Sequence, residues 1–333
     1  MKQNTYLSKF RNALKLNNLD AYIQPRSDMF GGEEVPDYDA RLKLLSGFTG
    51  SAGIAVITLK KAILFTDGRY TLQARMQLNK SWEIHPLHSN NWIDWVTDHL
   101  SAGQNIGFDP WLVTASTFQK LSEQVKIKDI AIKLDKKNLV DQVWINRPKI
   151  TQKEPVRWKD NYFAVNAKNK VNDLLAEMQL RDLDALIITQ PNQVCWLLNI
   201  RGNNLKYTPF FLGFLVVEKN GDLNIFSQCD IKYIKDNLRN HLFYKLEQYL
   251  SKFKNKNVAI NNKNCPSIIY NKLKHISAKV ENSFSFLQEK ATIKHNKEIQ
   301  HIRRCHISDG VALVNFFYWI ENNIKNQKIT EYD

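Results

Sequence analysis

Short apolar runs alternate with stretches in which apolar residues recur every three or four positions, and the same order occurs twice along the chain. Leu19-Asp20-Ala21-Tyr22-Ile23 follows a helix-like segment, Tyr6 to Leu16; Leu183-Asp184-Ala185-Leu186-Ile187 follows another, Val171 to Leu180. Each copy continues alike. Leu44-Leu45-Ser46-Gly47-Phe48 precedes the β-branched run Ile54 to Thr58 and a second run, Ala62 to Thr66. In the second copy Trp196-Leu197-Leu198-Asn199-Ile200 precedes Phe211 to Val217 and Leu223 to Phe226, with Lys219-Asn220-Gly221-Asp222 as a turn between the runs. Runs of this length joined by turn residues predict paired strands, and their alternation with helical periodicity predicts an α/β unit in each copy. A repeat at this spacing implies duplication of a whole domain.

Between the copies, Asn146 to Asn161 carries Pro148, Pro155 and many charges, a composition that punctuates helix and strand alike. The linker is placed there. Beyond Phe286 to Asn296, the stretch Glu298 to Asn323 predicts one long amphipathic helix, with Ile299, Ile302, Leu313, Phe317, Ile320 and Ile324 near three-four spacing. The expected division is 1–150, 151–288 and a C-terminal segment, 289–333. Thr330 and Glu331 suit the start of a further helix, so the sequence is expected to stop at the opening of an element.

With 333 residues, the chain is long for a single core. Its longest apolar run, Phe210 to Val217, is far below a membrane span, and Met1 to Leu16 lacks a signal-peptide core, so a cytoplasmic protein without a membrane partner is expected. Cys195, Cys229, Cys265 and Cys305 form no C-x-x-C pair and are read as reduced structural thiols. The net charge of +14 invites a nucleic-acid partner. Lysines are spread along the whole chain without a basic helix that interleaves stacking aromatics, so no nucleic-acid partner is expected.

The most specific signal is Ser46-Gly47-Phe48-Thr49-Gly50-Ser51-Ala52-Gly53, followed by Thr66-Asp67-Gly68-Arg69-Tyr70 and Gln73-Ala74. With Leu139-Val140-Asp141-Gln142-Val143-Trp144, Arg147-Pro148, Trp196 to Gly202, Ile302-Arg303, His306 and Asp309-Gly310, it resembles the long, three-domain form of aminopeptidase P. The resemblance covers essentially the whole chain. It implies two similar creatinase/prolidase N-terminal-type domains, each a mixed β-sheet flanked by helices, plus the first helix of a catalytic "pita-bread" domain truncated at its start. Members of that family remove the N-terminal residue preceding a proline, using dinuclear manganese held in the catalytic domain. No substitute ligand set stands in this sequence, so no catalytic residue, no metal ligand and no cofactor are expected in the chain itself. Arg69 is the one site residue carried over: in the resembled enzymes the arginine of this motif contacts bound peptide, while the alternative is a structural salt bridge within the first domain.

Other candidates have simpler readings. His301 and Cys305 share a helical face, with His306 beside them, and packing is preferred over a metal clip. His85 and His88 are read as solvated loop residues. Glu33, Glu34, Asp37 and Asp39 are likewise read as a solvated acidic loop rather than an acid/base pair. Gly47 to Gly53 lacks the Lys-Ser/Thr of a phosphate loop, and its glycines are read as turn and close-approach positions. Arg201-Gly202-Asn203-Asn204-Leu205-Lys206 departs from the family's Arg-Gly-x-Asp followed by proline.

The expected function is therefore the non-catalytic N-terminal portion of an Xaa-Pro aminopeptidase, inactive alone. A peptide with proline in its second position is a partner only when a catalytic domain is supplied, and a homodimer or a complementary C-terminal chain is the other expected partner. Alternatives are a non-enzymatic interaction module, a degenerate gene remnant, or half of a split enzyme.

Overall fold

The computed structural model describes residues 2–88, 91–134, 137–158, 163–231, 237–282 and 285–331. The first copy contains α1 (Lys2–Leu16), β1 (Ala21–Pro25), α2 (Arg41–Ser46), β2 (Ile54–Thr58), β3 (Ala62–Thr66), α3 (Thr71–Gln77) and β4 (Glu83–Pro86). It continues with α4 (Asn91–His99), β5 (Asn105–Phe108), α5 (Ala115–Ile127), β6 (Ala131–Leu134) and α6 (Leu139–Val143). After β7 (Val156–Arg157), the second copy runs through α7 (Ala167–Leu180), β8 (Ala185–Ile188), α8 (Pro191–Leu198), β9 (Ile200–Arg201), β10 (Gly213–Glu218) and β11 (Leu223–Ser227). It ends with β12 (Leu238–Leu242), α9 (Leu246–Leu250), β13 (Asn257–Ala259), α10 (Ser267–Ile276), β14 (Lys279–Glu281) and α11 (Phe286–Thr292), followed by α12 (Asn296–Asn323). Tyr332 and Asp333, part of the segment expected to open a new element, lie outside the described residues, as do Lys159 to Asn161 of the expected linker.

The two sheets have one topology. Strand order is β4-β3-β2-β1-β5-β6 in the first and β12-β11-β10-β8-β13-β14 in the second. In each, the strand after the first helix pairs antiparallel with the hairpin and parallel with the strand opposite, β1 with β2 and β5, β8 with β10 and β13. The repeat extends to single atoms. Asp20 N donates to Asn105 O at 2.8 Å while Asp20 Oδ2 accepts from Asn105 N at 2.8 Å. Asp184 does the same to Asn257, at 2.8 and 2.9 Å. Two residues earlier, Asn18 and Asp182 both hold φ of 52°, a left-handed turn that Asn and Asp tolerate better than other side chains. The loop after α2 turns at Gly47 (φ 81°) and its equivalent after α8 at Asn199 (φ 53°).

Each sheet is covered on both faces, as the near-continuous apolar strands require. In the first, Tyr22 packs on one face with Leu42 and Leu45 of α2 and Leu139 of α6, and Ala21 and Ile23 pack on the other with Trp92 of α4 and Leu121 of α5. The expected linker is not loose. Arg157 and Val156 pair with Ile200 and Arg201, Gln152 Nε2 donates to Leu212 O at 2.5 Å, and Gln152 Oε1 accepts from Gln228 N at 2.8 Å.

The domains meet through equivalent loops, β5 to α5 and β13 to α10. Ala115 N donates to Cys265 O and Ser267 N to Val113 O, each at 2.8 Å, and Thr114 bridges Pro266. Phe30, from the loop after β1, enters the second domain's core, its ring 5.2 Å from Phe214 and 6.4 Å from Phe243.

Candidate functional site

At the end of β3 the chain makes one 3-10 turn over Gly68–Tyr70, capped by Asp67, whose Oδ1 accepts from Arg69 N at 2.9 Å. The same carboxylate takes Arg69 Nη2 at 2.7 Å, and the guanidinium lies 5.3 Å from the Tyr70 ring centre. Arg69 raises its own pKa by this bond and holds that of Asp67 down. The Arg69 side chain remains 72% exposed, so Asp67 orients it without enclosing it. Among the described residues the hydrogen bonds of the guanidinium run through Nε and Nη2. The salt bridge of the alternative reading exists, within the first domain, and the guanidinium faces outward.

The glycine-rich segment forms the wall beside it. A Cβ on Gly50 would fall 2.2 Å from Phe48 Cζ and 2.8 Å from Tyr70 Cδ1, so only glycine lets this backbone pass. Phe48 and Tyr70 pack edge to face at 6.1 Å, and Ser51 Oγ lies 2.5 Å from Tyr70 Oη. Thr49 Oγ1 accepts from Gln73 and Gln77, at 2.8 and 2.7 Å. The result is a polar rim, exposed at Thr49, Ser51 and Arg69 and half-buried at Gln73, on an apolar base.

The acidic loop needs correction. Asp39 is not solvated: its side chain is 11% exposed and its Oδ1 accepts from Arg41 Nη1 at 2.8 Å and Arg147 Nη2 at 2.9 Å. Arg41 clamps Asp141 through Nε and Nη2 at 2.8 and 3.0 Å, and Arg147 Nη1 reaches Asp141 Oδ2 at 2.6 Å. Burial pushes the Asp39 carboxyl up even beside two guanidinia. Glu34 is also engaged, its carboxylate accepting from Lys206 N at 2.7 Å and Tyr207 N at 3.2 Å. That contact gives the divergent Arg201 to Lys206 loop a role at the domain seam.

Sequence reasoning missed Asp28. It is 2% exposed, and its Oδ1 accepts from Phe30 N at 3.0 Å and Gly32 N at 3.4 Å, shaping the loop that delivers Phe30 to the second domain. Burial, with Asp39 nearby, raises its pKa to about 6. The Asp-x-x-x-Gly spacing alone resembles any Asx turn and gave no warning of burial.

His85 is also corrected: it belongs to β4, tilted against Phe65 at 5.4 Å, with Nε2 3.5 Å from Glu83. His88 is exposed. His301 and Cys305 lie on α12, where Cys305 is exposed. Among the described residues, no group of three or more His, Cys, Asp or Glu is arranged to hold a metal ion, and no helix is long and apolar enough to cross a membrane. A dinuclear centre therefore has no fitting donor set among them.

Two creatinase/prolidase N-terminal domain models match the chain, one over residues 7–137 and the other over 146–300. Probable Xaa-Pro aminopeptidases P of Pyrenophora teres and Neurospora crassa are 32% and 31% identical to it over 97% of its length. The chain spans about half the length of these relatives, 52% and 50%. Among solved structures, the X-prolyl aminopeptidase of Caenorhabditis elegans, described as a cytosolic enzyme with a di-nuclear active site, superposes with a TM-score of 0.88 at 28% identity. That match covers 98% of this chain and 57% of the other. The chain therefore belongs to the creatinase/prolidase N-terminal domain family, as the tandem of two such domains that forms the N-terminal portion of Xaa-Pro aminopeptidases P.

Proposed function

We propose that this tandem serves peptide handling in an Xaa-Pro aminopeptidase, the metal-dependent hydrolase that releases an N-terminal residue preceding proline, and has no peptidase activity alone. The observation that carries the reading is the superposition of nearly the whole chain on the worm enzyme, while the described residues hold no metal-ligand set. Dinuclear metal chemistry then comes from a catalytic portion, encoded with this one or supplied as a separate chain, and the assembly works in the cytoplasm. Arg69 has the role of substrate guide. Fixed by Asp67 on a rigid turn and exposed, its planar donors suit a peptide carbonyl or terminal carboxylate.

The test pairs two preparations. The chain alone, with manganese and an Xaa-Pro peptide, is expected to release no amino acid; chelator-sensitive turnover, free of host peptidase, refutes the reading. A chimera carrying the catalytic portion of the worm enzyme is expected to be active. In that chimera Arg69→Ala should raise KM about tenfold, roughly 1.4 kcal/mol of lost binding, with kcat little changed. An unchanged KM removes Arg69 from the substrate path.

A further inference from the structure

The seam between the two domains is made by equivalent atoms twice over. Ala115 N and Ser116 N, at the start of α5, donate to Cys265 O at 2.8 Å and Asn262 O at 2.9 Å. Ser267 N and Ile268 N, at the start of α10, donate in return to Val113 O at 2.8 Å and Pro110 O at 3.2 Å. Pro110, Val113, Ala115 and Ser116 thus stand in the first loop where Asn262, Cys265, Ser267 and Ile268 stand in the second, at identical spacing. Between them Thr114 and Pro266 face one another in an antiparallel bridge. Contacts that are exchanged in this reciprocal way define an isologous, two-fold interface.

The first N–H groups of a helix have no acceptor within it. Ala115 and Ser267 are both fully buried, and each takes its acceptor from the other domain's loop. Without a partner those amides would be left unpaired. Pro266 fits the centre because the bridge draws its bonds from the residues on either side. All four donor positions carry an N–H in both domains, so either loop can face a copy of itself. The contacts of Phe30 and Glu34 with the second domain are one-sided. Their loop, between β1 and α2, has no counterpart, because β8 ends at Ile188 and α8 begins at Pro191. These contacts favour the pairing of unlike domains. Arg147 is bonded into the first domain and Gln152 into the second, so residues 148–151 form a short tether. Such a tether gives the two halves a high effective concentration and closes the chain on itself.

We propose that the seam is a dimer interface closed within one chain, and that the surface around Thr114 and the surface around Pro266 each fit a second domain of this fold, a second copy of the same domain included.

Two measurements on the full chain test this. The amides of Ala115, Ser116, Ser267 and Ile268 open their helices and owe their protection to the seam, so hydrogen exchange read by NMR should show all four slowed at least about a hundredfold and within about threefold of one another. For the second, a protease site is inserted in the exposed tether between Lys149 and Ile150, and Phe30→Ala with Glu34→Ala removes the one-sided contacts. Cleaved chains whose second domains carry a donor dye are mixed with others whose second domains carry an acceptor dye. Energy transfer between second domains is expected. Free exchange at one helix start while the other stays slow overturns the proposal. So does the absence of transfer while the halves co-sediment in unlike pairs, or sedimentation of the folded halves as monomers at about 50 μM. If the altered halves unfold on cleavage, the exchange pattern of the unaltered chain decides alone.

Discussion

Replacing Asp28 with Asn should stabilise this protein above pH 7 and leave it little changed near pH 4.5. Asp28 is 2% exposed, and its Oδ1 accepts two backbone N–H groups, a geometry that an amide oxygen retains. Burial lifts its pKa from the ordinary 3.8 to about 6, with the Asp39 carboxylate adding to the rise and the Tyr38 ring also facing the pair. A raised carboxyl pKa means that the folded state binds a proton more tightly than the unfolded one. Its favourable contribution is complete below about 3.8 and lost as pH rises through about 6. At about 1.4 kcal/mol per tenfold change in proton affinity, the charged Asp28 costs about 3 kcal/mol at pH 8. Asn cannot ionise, so it removes that cost. It also weakens two charge-assisted bonds, by about 1 kcal/mol together, which leaves a net gain near 2 kcal/mol. Urea unfolding of both proteins from pH 4.5 to 8 measures the difference directly. A variant less stable than the parent at pH 8, or a difference independent of pH across this window, refutes the reasoning.

The duplicated aspartates offer a test of the repeat: Asp20→Ala and Asp184→Ala should each cost about 1–2 kcal/mol in urea unfolding, because each leaves the first N–H of β5 or β13 without its acceptor. Lying in separate domains, their effects should add when combined, and a large difference between them would contradict equivalent roles. Deleting residues from Glu298 onward should leave the melting transition intact and lower aggregation in light scattering, since α12 buries no residue and exposes Val314 at 67%, Phe317 at 56% and Tyr318 at 72%. Loss of the transition would make the helix part of the core.

Much of the fold was legible in order along the chain. The apolar runs at Ile54 to Thr58 and Ala62 to Thr66 are β2 and β3 residue for residue, and the recurring Leu-Asp-Ala marks the same junction in both sheets. Local periodicity and turn residues act over a few positions, so the sequence carries them openly. Gly47 was legible for the same reason, since the turn that ends α2 there takes a positive φ that glycine adopts freely, whereas Gly50 is required by Tyr70, twenty residues on. The charged cluster was not. Asp39 reads as a loop acid among Glu33, Glu34 and Asp37 until Arg147, 108 residues away, returns to it, and Asp141 meets Arg41 only across 100 residues. Asp28 reads as an ordinary turn residue until the second domain receives Phe30 and closes over the loop. Motif residues and the succession of helices and strands were therefore determined by the sequence itself, while the pairing of β1 with β5, the raised pKa of Asp28 and the ion lattice were decided by tertiary structure. Burial sets how strongly a charge is felt, and burial depends on which distant segments come to cover it.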